Sequence, residues 1–416
     1  MPTCILYDHT RLWISQIQAT LERDFGYTVL RLPNNMSFYP VEPLSEKTFQ
    51  SNADRVREQT LADIRKNDVR FIFNVNTYGW LHNPATGRML FEELGVPVIN
   101  FWWDDPRYAM HPIYRMLPPK QIWGFLSNPK MLHFVWDLEV ARATKRLGAA
   151  YAYHCPTAVD PTFYAEPTVE NNDGQGSDCM ICAAYKWVSE HVGPGRLSPE
   201  LAGFAEQLAG LRAQNPVVPP VEMLKANHLS WEKVEAECMK CDPSGEALVR
   251  FLYLADKTCT NALRDQIIIF LKKQLSYRFQ IYGEGWERAG IEGAPPVWDP
   301  QQLAGLYRSA RTCLNVQGGN SPSGLPMRIY EIAVSGGLIL TQNNPEVRTL
   351  FKPGSECAVF DTPQQALELV EYYCSHEDER QAMVEAGRKR ALAEHTWKNR
   401  LEYILKLFDE NESKIT

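Results

Sequence analysis

Short apolar runs alternate with longer amphipathic segments through the first 165 residues. Buried strands are predicted for CILYDH, YTVLRLP, RFIFNVN, VPVINFWW, MLHFVWD and AAYAYHC. Helices are predicted for RLWISQIQATLERDFG, ADRVREQTLADIRKND, PATGRMLFEELG and LEVARATKRLG, which have helical periodicity. Strands that alternate with helices form βαβ units, so this pattern predicts a parallel sheet with helices on both faces.

A second α/β pattern follows a segment rich in Pro, Asn, Asp and Gly, HCPTAVDPTFYAEPTVENNDGQGSD, which we interpret as a linker. Here DCMICAAY, RFQIYGEGW, RTCLNVQ, LILT and ECAVFD are predicted strands, and a mainly helical insertion (187–275) follows the first of them. The predicted domains are 1–165 and 176–397, and the C-terminal helix, 398–416, is expected to return to the first. We therefore predict two Rossmann-like doubly wound domains facing a central cleft, where such folds bind ligands at the carboxyl ends of their strands.

Length and charge narrow the class of protein. A chain of 416 residues exceeds the usual size of one core, in agreement with two domains. The formal charge of -7 and the absence of Lys/Arg runs argue against nucleic acid as the main partner. MPTCILYDHT does not resemble a signal peptide, and no apolar stretch approaches the ~18 residues of a membrane span. We expect a soluble cytoplasmic protein, and the oligomeric state is not predicted.

Ten cysteines include two CxxC pairs, Cys179/Cys182 and Cys238/Cys241. Four thiolates are able to hold zinc. However, the first pair lies in a predicted strand and the second at the end of a helical pattern, whereas zinc ribbons carry such pairs on tight turns. We therefore favour buried free cysteines over zinc and expect no bound metal ion.

The usual nucleotide motifs of α/β proteins are missing. The first predicted strand ends in YDHTRLW, without the glycines of GxGxxG, and GEGWERAG has its third glycine out of register. No GxxxxGK[ST] motif occurs either. No NAD, FAD or P-loop nucleotide is therefore expected, which leaves a phosphate bound by backbone N–H groups at the start of a helix.

The stretch SGLPMRIYEIAVSGG (323–337) offers such a start. The pattern predicts a helix that begins near Pro326, stops at Gly336 and is preceded by the loop GGNSPSG, which allows the backbone to approach a ligand. Arg328 and Glu331 share one face. In one interpretation Arg328 contacts a diphosphate at the helix start and Glu331 accepts hydrogen bonds from ribose hydroxyls. In the other they form an ordinary exposed ion pair.

Longer motifs carry a resemblance to a known family. The segment from RTCLNVQ to EHTWKNR contains an R-x-x-E helix, a GG-strand, an LF-x-x-G-x-E turn and an E-x-x-R-x-x-M-x-x-x-G-R helix. It resembles the C-terminal domain of GT-B glycosyltransferases, specifically the CgeB-like (spore maturation protein) group related to glycosyltransferase family 4. FWWDDP (101–106) is similar to the N-terminal domain of that group. The resemblance implies a nucleotide-sugar donor on the C-terminal domain and an acceptor on the N-terminal one.

The resemblance also implies roles for single residues. Glu331 matches the second glutamate of the family's E-x7-E motif, which binds ribose, whereas Ser323 stands where the first glutamate is expected. A basic residue for the phosphates is expected after the first strand of the donor domain, where Lys186 lies, or this lysine is merely solvated. The remaining implied donor contacts are the diphosphate cap of Gly324, Leu325, Pro326 and Met327, the base platform of Val297 and Trp298, and the open loop at Gly283 and Gly285.

The acceptor domain offers candidates for proton transfer. Asp104 and Asp105 end an apolar strand, and either is a candidate base if the reaction inverts the anomeric carbon, although Asp105 precedes proline and is alternatively a turn cap. If the reaction retains configuration, the diphosphate itself takes the proton. Other candidates at strand ends are His82 for catalysis, and Asn76, Tyr78 and His154 for acceptor binding.

Three functions remain open at this point. The first is metal-independent transfer of a sugar, in hexosyltransferase fashion, from a nucleoside diphosphate sugar, with UDP-sugar favoured, to an unidentified glycan, protein or small molecule. The others are a GT-B-fold sugar-nucleotide epimerase and a non-catalytic sugar-nucleotide or polysaccharide-binding protein. The non-catalytic alternative is supported by Ser323. None of the three requires a cofactor beyond the substrate.

Overall fold

In a computed structural model the chain forms two compact units, each held together by its internal contacts. The first unit comprises residues 1–156, 243–249 and 397–416, and the second comprises 157–242 and 250–396. The residues that the structure describes are 1–8, 12–33, 46–83, 85–109, 124–165, 176–186, 197–216, 218, 223–224, 231–242 and 246–415.

The first unit contains a six-stranded parallel sheet of order β2-β1-β3-β6-β7-β8 and a small antiparallel hairpin, β4-β5. Its elements are β1 (Thr3–Asp8), α1 (Leu12–Phe25), β2 (Thr28–Pro33), α2 (Glu46–Lys66), β3 (Val69–Val75), β4 (His82–Asn83), β5 (Arg88–Met89), α3 (Leu90–Leu94), β6 (Val98–Trp102), α4 (Pro106–Ala109), β7 (Met131–Val135), α5 (Leu138–Arg146) and β8 (Tyr151–His154). The central strands are buried throughout, as expected of a parallel sheet covered on both faces.

The helix predicted for PATGRMLFEELG is wrong over its first half. Arg88–Met89 pairs with His82–Asn83, and only Leu90–Leu94 is helical. Asn83 Oδ1 accepts a hydrogen bond from the backbone N–H two residues later, and Gly87 takes a φ of 70°. This local turn chemistry competes successfully with the helical periodicity.

The second unit contains a five-stranded parallel sheet of order β10-β9-β11-β12-β13. Its elements are β9 (Cys179–Cys182), α6 (Pro199–Gln214), α7 (Trp231–Cys241), α8 (Glu246–Arg264), α9 (Phe270–Gln274), β10 (Phe279–Tyr282), α10 (Pro300–Ser309), β11 (Thr312–Asn315), α11 (Met327–Ser335), β12 (Ile339–Gln342), α12 (Val347–Leu350), β13 (Ala358–Phe360), α13 (Pro363–Ser375) and α14 (Glu377–Glu394). The first four residues of α8, 246–249, are grouped with the first unit, and the rest of α8 belongs to the second. A π-helical turn, Asp265–Ile269, separates α8 from α9.

The C-terminal helix α15 (Trp397–Ile415) is part of the first unit. Arg70 on β3 donates hydrogen bonds to Glu412 and to Asp409 of this helix, at 3.2 and 2.8 Å respectively. Phe408 packs against Phe71 with ring centroids 5.2 Å apart. The nineteen-residue helix α15 is therefore held to the sheet by both apolar and ionic contacts.

The division between the units lies at Pro156, earlier than the linker composition predicted. Residues 157–165 join the second unit because Val159 bridges to Thr396, and because Tyr164 at the end of a 3₁₀ turn bonds to α11. The polar and proline-rich composition therefore predicts an irregular segment, but it does not predict which unit the residues of that segment contact.

Candidate functional site

The helix α11 begins and ends as its sequence predicts. Pro326 is its N-cap residue, and Gly336 ends it with a left-handed φ of 82°. All residues from Ile329 to Ser335 are buried, so the helix is covered on every face and not only along its apolar stripe. A carboxylate in this helix must therefore be accommodated inside the unit.

Glu331 is that carboxylate, and only 8% of it is exposed. The Tyr164 hydroxyl donates a 2.7 Å hydrogen bond to Glu331 Oε1. Burial raises the pKa of Glu331, while the Tyr164 hydrogen bond and the charge of Arg328 oppose that rise. Glu331 Oε2 has no hydrogen-bond partner among the described residues. The alternative of an exposed ion pair is therefore wrong for Glu331.

Arg328 lies half-buried one turn before Glu331. Its Nη1 donates a 3.3 Å hydrogen bond to Oδ1 of Asn315, the last residue of β11. Within the described part of the chain no carboxylate comes within 4.0 Å of its guanidinium. Arg328 therefore stands at the carboxyl edge of the second sheet, the edge formed by the C-terminal ends of the strands, with its charge uncompensated by a close acid.

The loop before α11 is held by a buried network around the Gly324 carbonyl. That oxygen accepts hydrogen bonds from Ser321 Oγ at 3.0 Å, Gln317 Nε2 at 3.2 Å and Asn344 Nδ2 at 2.7 Å. Such a satisfied network fixes the backbone that leads into the helix. Of the four residues predicted to cap a diphosphate, Gly324 and Leu325 are buried, and Leu325 packs in the apolar core with 1% exposure. Only Pro326 and Met327 retain partly exposed surface.

Ser323 is buried and bonded away from solvent. Its Oγ donates a 2.7 Å hydrogen bond to Glu346 Oε1, and its carbonyl accepts from the Glu346 backbone at 3.2 Å. With 1% exposure, the Ser323 side chain has no open path to a sugar hydroxyl in this structure. The loop after β12 thus brings an acid that occupies the Ser323 hydroxyl, and the role of Ser323 as a donor contact stays a prediction.

Two glycines shape the edge beside β9 and β10. Gly283 has a φ of 146°, and a Cβ there would lie 2.2 Å from the Ala183 carbonyl. Gly285 has a φ of 85°, and its Cβ would lie 2.4 Å from the Tyr185 carbonyl. Only glycine fits either position, so these residues permit two backbone segments to come together at the carboxyl edge. Lys186, the residue after Tyr185, is half-buried.

The predicted base platform divides into a packed and an exposed residue. Val297 packs against the apolar cluster around α10 and α11. Trp298 is 67% exposed. Among the described large apolar side chains, only that of the first residue, Met1, is more exposed. An exposed indole next to the start of α10 remains available for stacking on a planar group.

Sequence reasoning missed Arg264, the last residue of α8. Its Nη1 donates to the Ala184 carbonyl, two residues after β9, and only 5% of the residue is exposed. Burial and the charge of Arg328 lower the pKa of Arg264 to about 9. No motif marks this arginine, because its position depends on how the helical insertion folds back on the sheet.

The first unit brings Asn76 and Asp104 together at its own carboxyl edge. Asn76, after β3, has a φ of 50° and is 1% exposed. Its Oδ1 accepts from the backbone N–H groups of Trp103 and Asp104, and its Nδ2 donates to Asp104 Oδ2 at 3.0 Å. Asn76 therefore orients the loop that carries Asp104, and its role as an acceptor contact stays a prediction.

The other candidates of this unit have separate positions. Asp105 is 6% exposed and immediately precedes α4, where its carbonyl accepts from Ala109, in agreement with a turn-capping role. Tyr78 is 4% exposed, and His154 ends β8 at the far edge of the sheet. His82 lies in the hairpin strand β4 rather than in a loop, and its side chain is outside the described part.

A row of buried polar residues crosses the first sheet below this loop. Asn74, Asn100 and His133 are register partners on β3, β6 and β7, each with 0% exposure. Asn74 donates to Asn100 at 2.5 Å, and the Trp102 indole N–H donates to His133 Nδ1 at 3.0 Å. His133 Nε2 therefore carries the proton and donates to the Leu126 carbonyl at 3.1 Å. Burial lowers the pKa of His133 to about 4, so the imidazole is neutral.

The described residues show neither a cluster of metal ligands nor a membrane-spanning helix. They contain no group of three or more His, Cys, Asp or Glu side chains placed to hold a metal ion. Cys179 and Cys182 lie on β9, and Cys238 and Cys241 lie on α7. Among the described helices, none combines the length and apolar character needed to cross a bilayer.

Comparison with known proteins places this geometry in a class. Residues 264–406, which include α11, match a protein family model described as glycosyl transferase-like. No protein of curated function matches the chain in sequence. The similar solved structures share two parallel-sheet domains with it, and the chain has the GT-B fold.

Three structures illustrate the likeness. A sucrose-phosphate synthase from Thermosynechococcus elongatus is 11% identical, with a TM-score of 0.53 over 99% of this chain and 100% of that one. Anabaena HepE in complex with UDP-glucose is 9% identical, with a TM-score of 0.52 over 99% and 100%. A trehalose 6-phosphate synthase from Burkholderia multivorans is 11% identical, with a TM-score of 0.50 over 99% and 98%. At this level of identity the likeness concerns the fold alone.

Proposed function

We propose that this protein is a metal-independent glycosyltransferase of the hexosyltransferase type. Its donor is a nucleoside diphosphate sugar, with UDP-sugar as the first choice, and its acceptor is an unidentified glycan, protein or small molecule. The relationship to the CgeB-like group and to glycosyltransferase family 4 belongs to the same proposal. So does the assignment of acceptor binding to the first domain and donor binding to the second.

The arrangement of Arg328 and Glu331 carries the proposal. Both lie on α11 at the carboxyl edge of the second sheet, within the segment that matches a glycosyl transferase-like family. A half-buried cation without a close acid favours an anionic ligand. A buried carboxylate with one oxygen left without a partner favours a ligand with hydroxyl donors. A nucleoside diphosphate presents both groups at such a spacing.

The chemistry assigned to these residues is electrostatic. As the bond between the sugar and the diphosphate breaks, negative charge develops on the leaving phosphate. Arg328 and the N–H groups in the first turn of α11 stabilise that charge, which is the role a divalent ion takes in other enzymes. Glu331 Oε2 accepts hydrogen bonds from the ribose and so fixes the donor relative to Arg328. Trp298 stacks on the base, and Lys186 adds a second positive charge near the phosphates.

Proton transfer is assigned to the loop after β6. Asp104 is the preferred base for an inverting reaction because Asn76 holds its carboxylate at a defined position. Asp105 is the weaker choice, since it is buried before α4. In a retaining reaction the leaving diphosphate takes the proton, and neither aspartate is essential.

A panel of UDP-, GDP-, ADP- and dTDP-sugars tests the proposal by thermal shift and by release of the nucleoside diphosphate. We expect stabilisation by at least one of them, strongly reduced in Glu331→Ala and Arg328→Ala. Glu371→Gln on the exposed face of α13 is the control for an unrelated loss of charge. No stabilisation by any sugar nucleotide sinks the proposal. Binding without turnover across an acceptor panel supports a binding protein, and conversion of the donor sugar alone supports an epimerase.

A further inference from the structure

The helical insertion holds the loop that follows β11. Gly319 in this loop donates its backbone N–H to Thr260 Oγ1 on α8 at 2.8 Å. A Cβ at Gly319 would lie 2.3 Å from the Asp256 carbonyl, so the loop and α8 are in direct backbone contact. Arg212 on α6 forms a buried ion pair with Asp256 and also donates to the Gly319 carbonyl. The insertion is therefore part of the wall of the candidate site.

The same helix holds the segment that follows β9. Asn261 Oδ1 accepts from the Lys186 backbone N–H at 2.8 Å, and Asn261 Nδ2 donates to the Lys186 carbonyl at 2.8 Å. Thr260, Asn261 and Arg264 are spaced so that they share one side of α8. This side of the helix therefore contacts the carboxyl edge at two neighbouring parallel strands, β9 and β11.

Arg264 ends this side of α8 at the same edge. It reaches the Ala184 carbonyl after β9, whereas Arg328 reaches Asn315 at the end of β11. The Arg264 Nε is buried without a hydrogen-bond partner, and no described carboxylate lies within 4.0 Å of its guanidinium. Two guanidinium groups thus stand at the ends of adjacent strands, and neither forms an ion pair within 4.0 Å in the described part of the chain.

Acids offset these two charges only in part: Glu331 interacts with Arg328 through its charge, but no described carboxylate pairs with either guanidinium within 4.0 Å. The charges are close enough that Arg328 contributes to lowering the pKa of Arg264, in addition to burial. Two like charges removed from water disfavour the folded state unless an anion compensates them. A diphosphate carries several oxygen acceptors and at least two negative charges, and guanidinium groups bind such oxygens in bidentate fashion.

We propose that Arg264, supplied by the helical insertion, is a second guanidinium ligand of the donor's diphosphate beside Arg328. The proposal rests on the proposed function, since it assigns a residue to the phosphate part of the same site. It also gives the insertion a role: α8 both carries Arg264 and fixes the loops on either side of it. A purely structural Arg264, bonded only to Ala184, is the competing explanation.

Calorimetric titration with uridine, UDP and inorganic pyrophosphate distinguishes the two explanations. We expect Arg264→Met to weaken UDP and pyrophosphate by about 10- to 100-fold, the effect of losing a hydrogen bond to a charged group, and to leave uridine unchanged. Lys273→Met, an exposed cation of α9, is the matched control and should bind like the wild type. Equal affinity for UDP in Arg264→Met and the wild type, or an equal loss for uridine and UDP, overturns the proposal.

Charge-conserving variants keep the test valid if Arg264→Met does not fold. A double-mutant cycle with Arg264→Lys and Arg328→Lys should show non-additive losses in pyrophosphate affinity, because both residues contact one ligand. Additive losses overturn the shared contact. If the wild type binds no nucleoside diphosphate in the panel, the proposed function fails and this inference fails with it. If the wild type binds UDP and Arg264→Met binds it equally well, the role of Arg264 is refuted, whereas the proposed function stands.

Discussion

The two parallel sheets bury polar groups near their carboxyl edges in opposite ways. The first sheet carries Asn74, Asn100 and a neutral His133, which are hydrogen-bonded to one another or to nearby indole and backbone groups. The second sheet carries charges: Arg264 and Arg328 without close acids, and Glu331 with a single phenolic partner.

This difference separates a structural polar row from a binding site. Neutral groups that satisfy each other add to the stability of a core. In this row a single atom, Asn100 Nδ2, is buried without a hydrogen-bond partner, and it carries no charge that an ionic ligand would neutralise. Charges that the protein itself does not neutralise are unfavourable in the free state, and strongly perturbed groups of this kind concentrate at functional sites. This contrast supports the proposed donor site at the second sheet, and the following predictions test it from the largest expected effect to the smallest.

Removal of Arg328 should have the largest effect. We expect Arg328→Met to lower nucleoside diphosphate release from the donor sugar by about 100- to 1000-fold, because a preorganised charge at the leaving phosphate is lost. Lys273→Met, measured in the same assay, should retain wild-type activity. A small effect of Arg328→Met would show that another residue supplies the charge that stabilises the leaving phosphate.

Two glycines in one turn provide a matched test of the backbone at the second edge. Gly285 and Gly290 both have positive φ, at 85° and 69°, but only Gly285 would bring a Cβ against a backbone carbonyl, and Gly290 faces open space. We expect Gly285→Ala to lower the free energy of unfolding by about 2 kcal/mol more than Gly290→Ala. Chemical denaturation measures the free energy of unfolding of both variants. Equal losses of stability would show that the loop at Gly285 shifts to accommodate the added methyl group.

His133 should make the first sheet sensitive to acid. Its pKa of about 4 in the folded state lies below its ordinary value of 6.5, so the unfolded chain binds the proton first as pH falls. The stability from neutral His133 is complete above pH 6.5 and is lost as pH falls toward 4, by about 2 to 3 kcal/mol. Urea unfolding at pH 7 and pH 4.5 checks this loss, which should be smaller in His133→Gln.

Glu331 should show the opposite pH dependence in the second sheet. Because burial raises its pKa, the folded state binds the proton more readily than the unfolded state, and the carboxylate becomes costly as pH rises through that raised pKa. We expect Glu331→Gln to stabilise the protein by about 1 kcal/mol at pH 8, with a gain that shrinks at acidic pH. The variant should nevertheless bind UDP more weakly. A stabilised variant with intact UDP affinity would contradict the ribose role of Glu331.

Local pattern predicted the features that depend on neighbouring residues. The apolar runs predicted the strands of both sheets, and Pro326 and Gly336 marked the ends of α11, because caps and periodicity act within a few residues. The helix predicted over 84–95 failed for the same local reason, since a turn at Asn83 and Gly87 competes with it. The predicted role of Glu331 likewise depends on motif spacing within one helix.

Contacts between segments that are distant in the chain left no pattern in the sequence from which they could be predicted. Tyr164 lies in a segment interpreted as linker, yet it bonds to Glu331, 167 positions later. Ser323 was predicted to contact the donor, but Glu346 from another loop holds its hydroxyl. Arg264 was not predicted as a site residue. It lies in no recognisable motif, and its contact with the Ala184 carbonyl exists only once α8 is packed against the sheet.

The sequence by itself determined that this chain forms two doubly wound α/β units and that one helix start carries an Arg and a Glu, since periodicity and capping are encoded in adjacent residues. Only the tertiary structure decided which charges face each other without compensation. Burial and electrostatic coupling depend on distances in space, and these join residues from β9, α8, β11 and α11 that lie far apart in the chain.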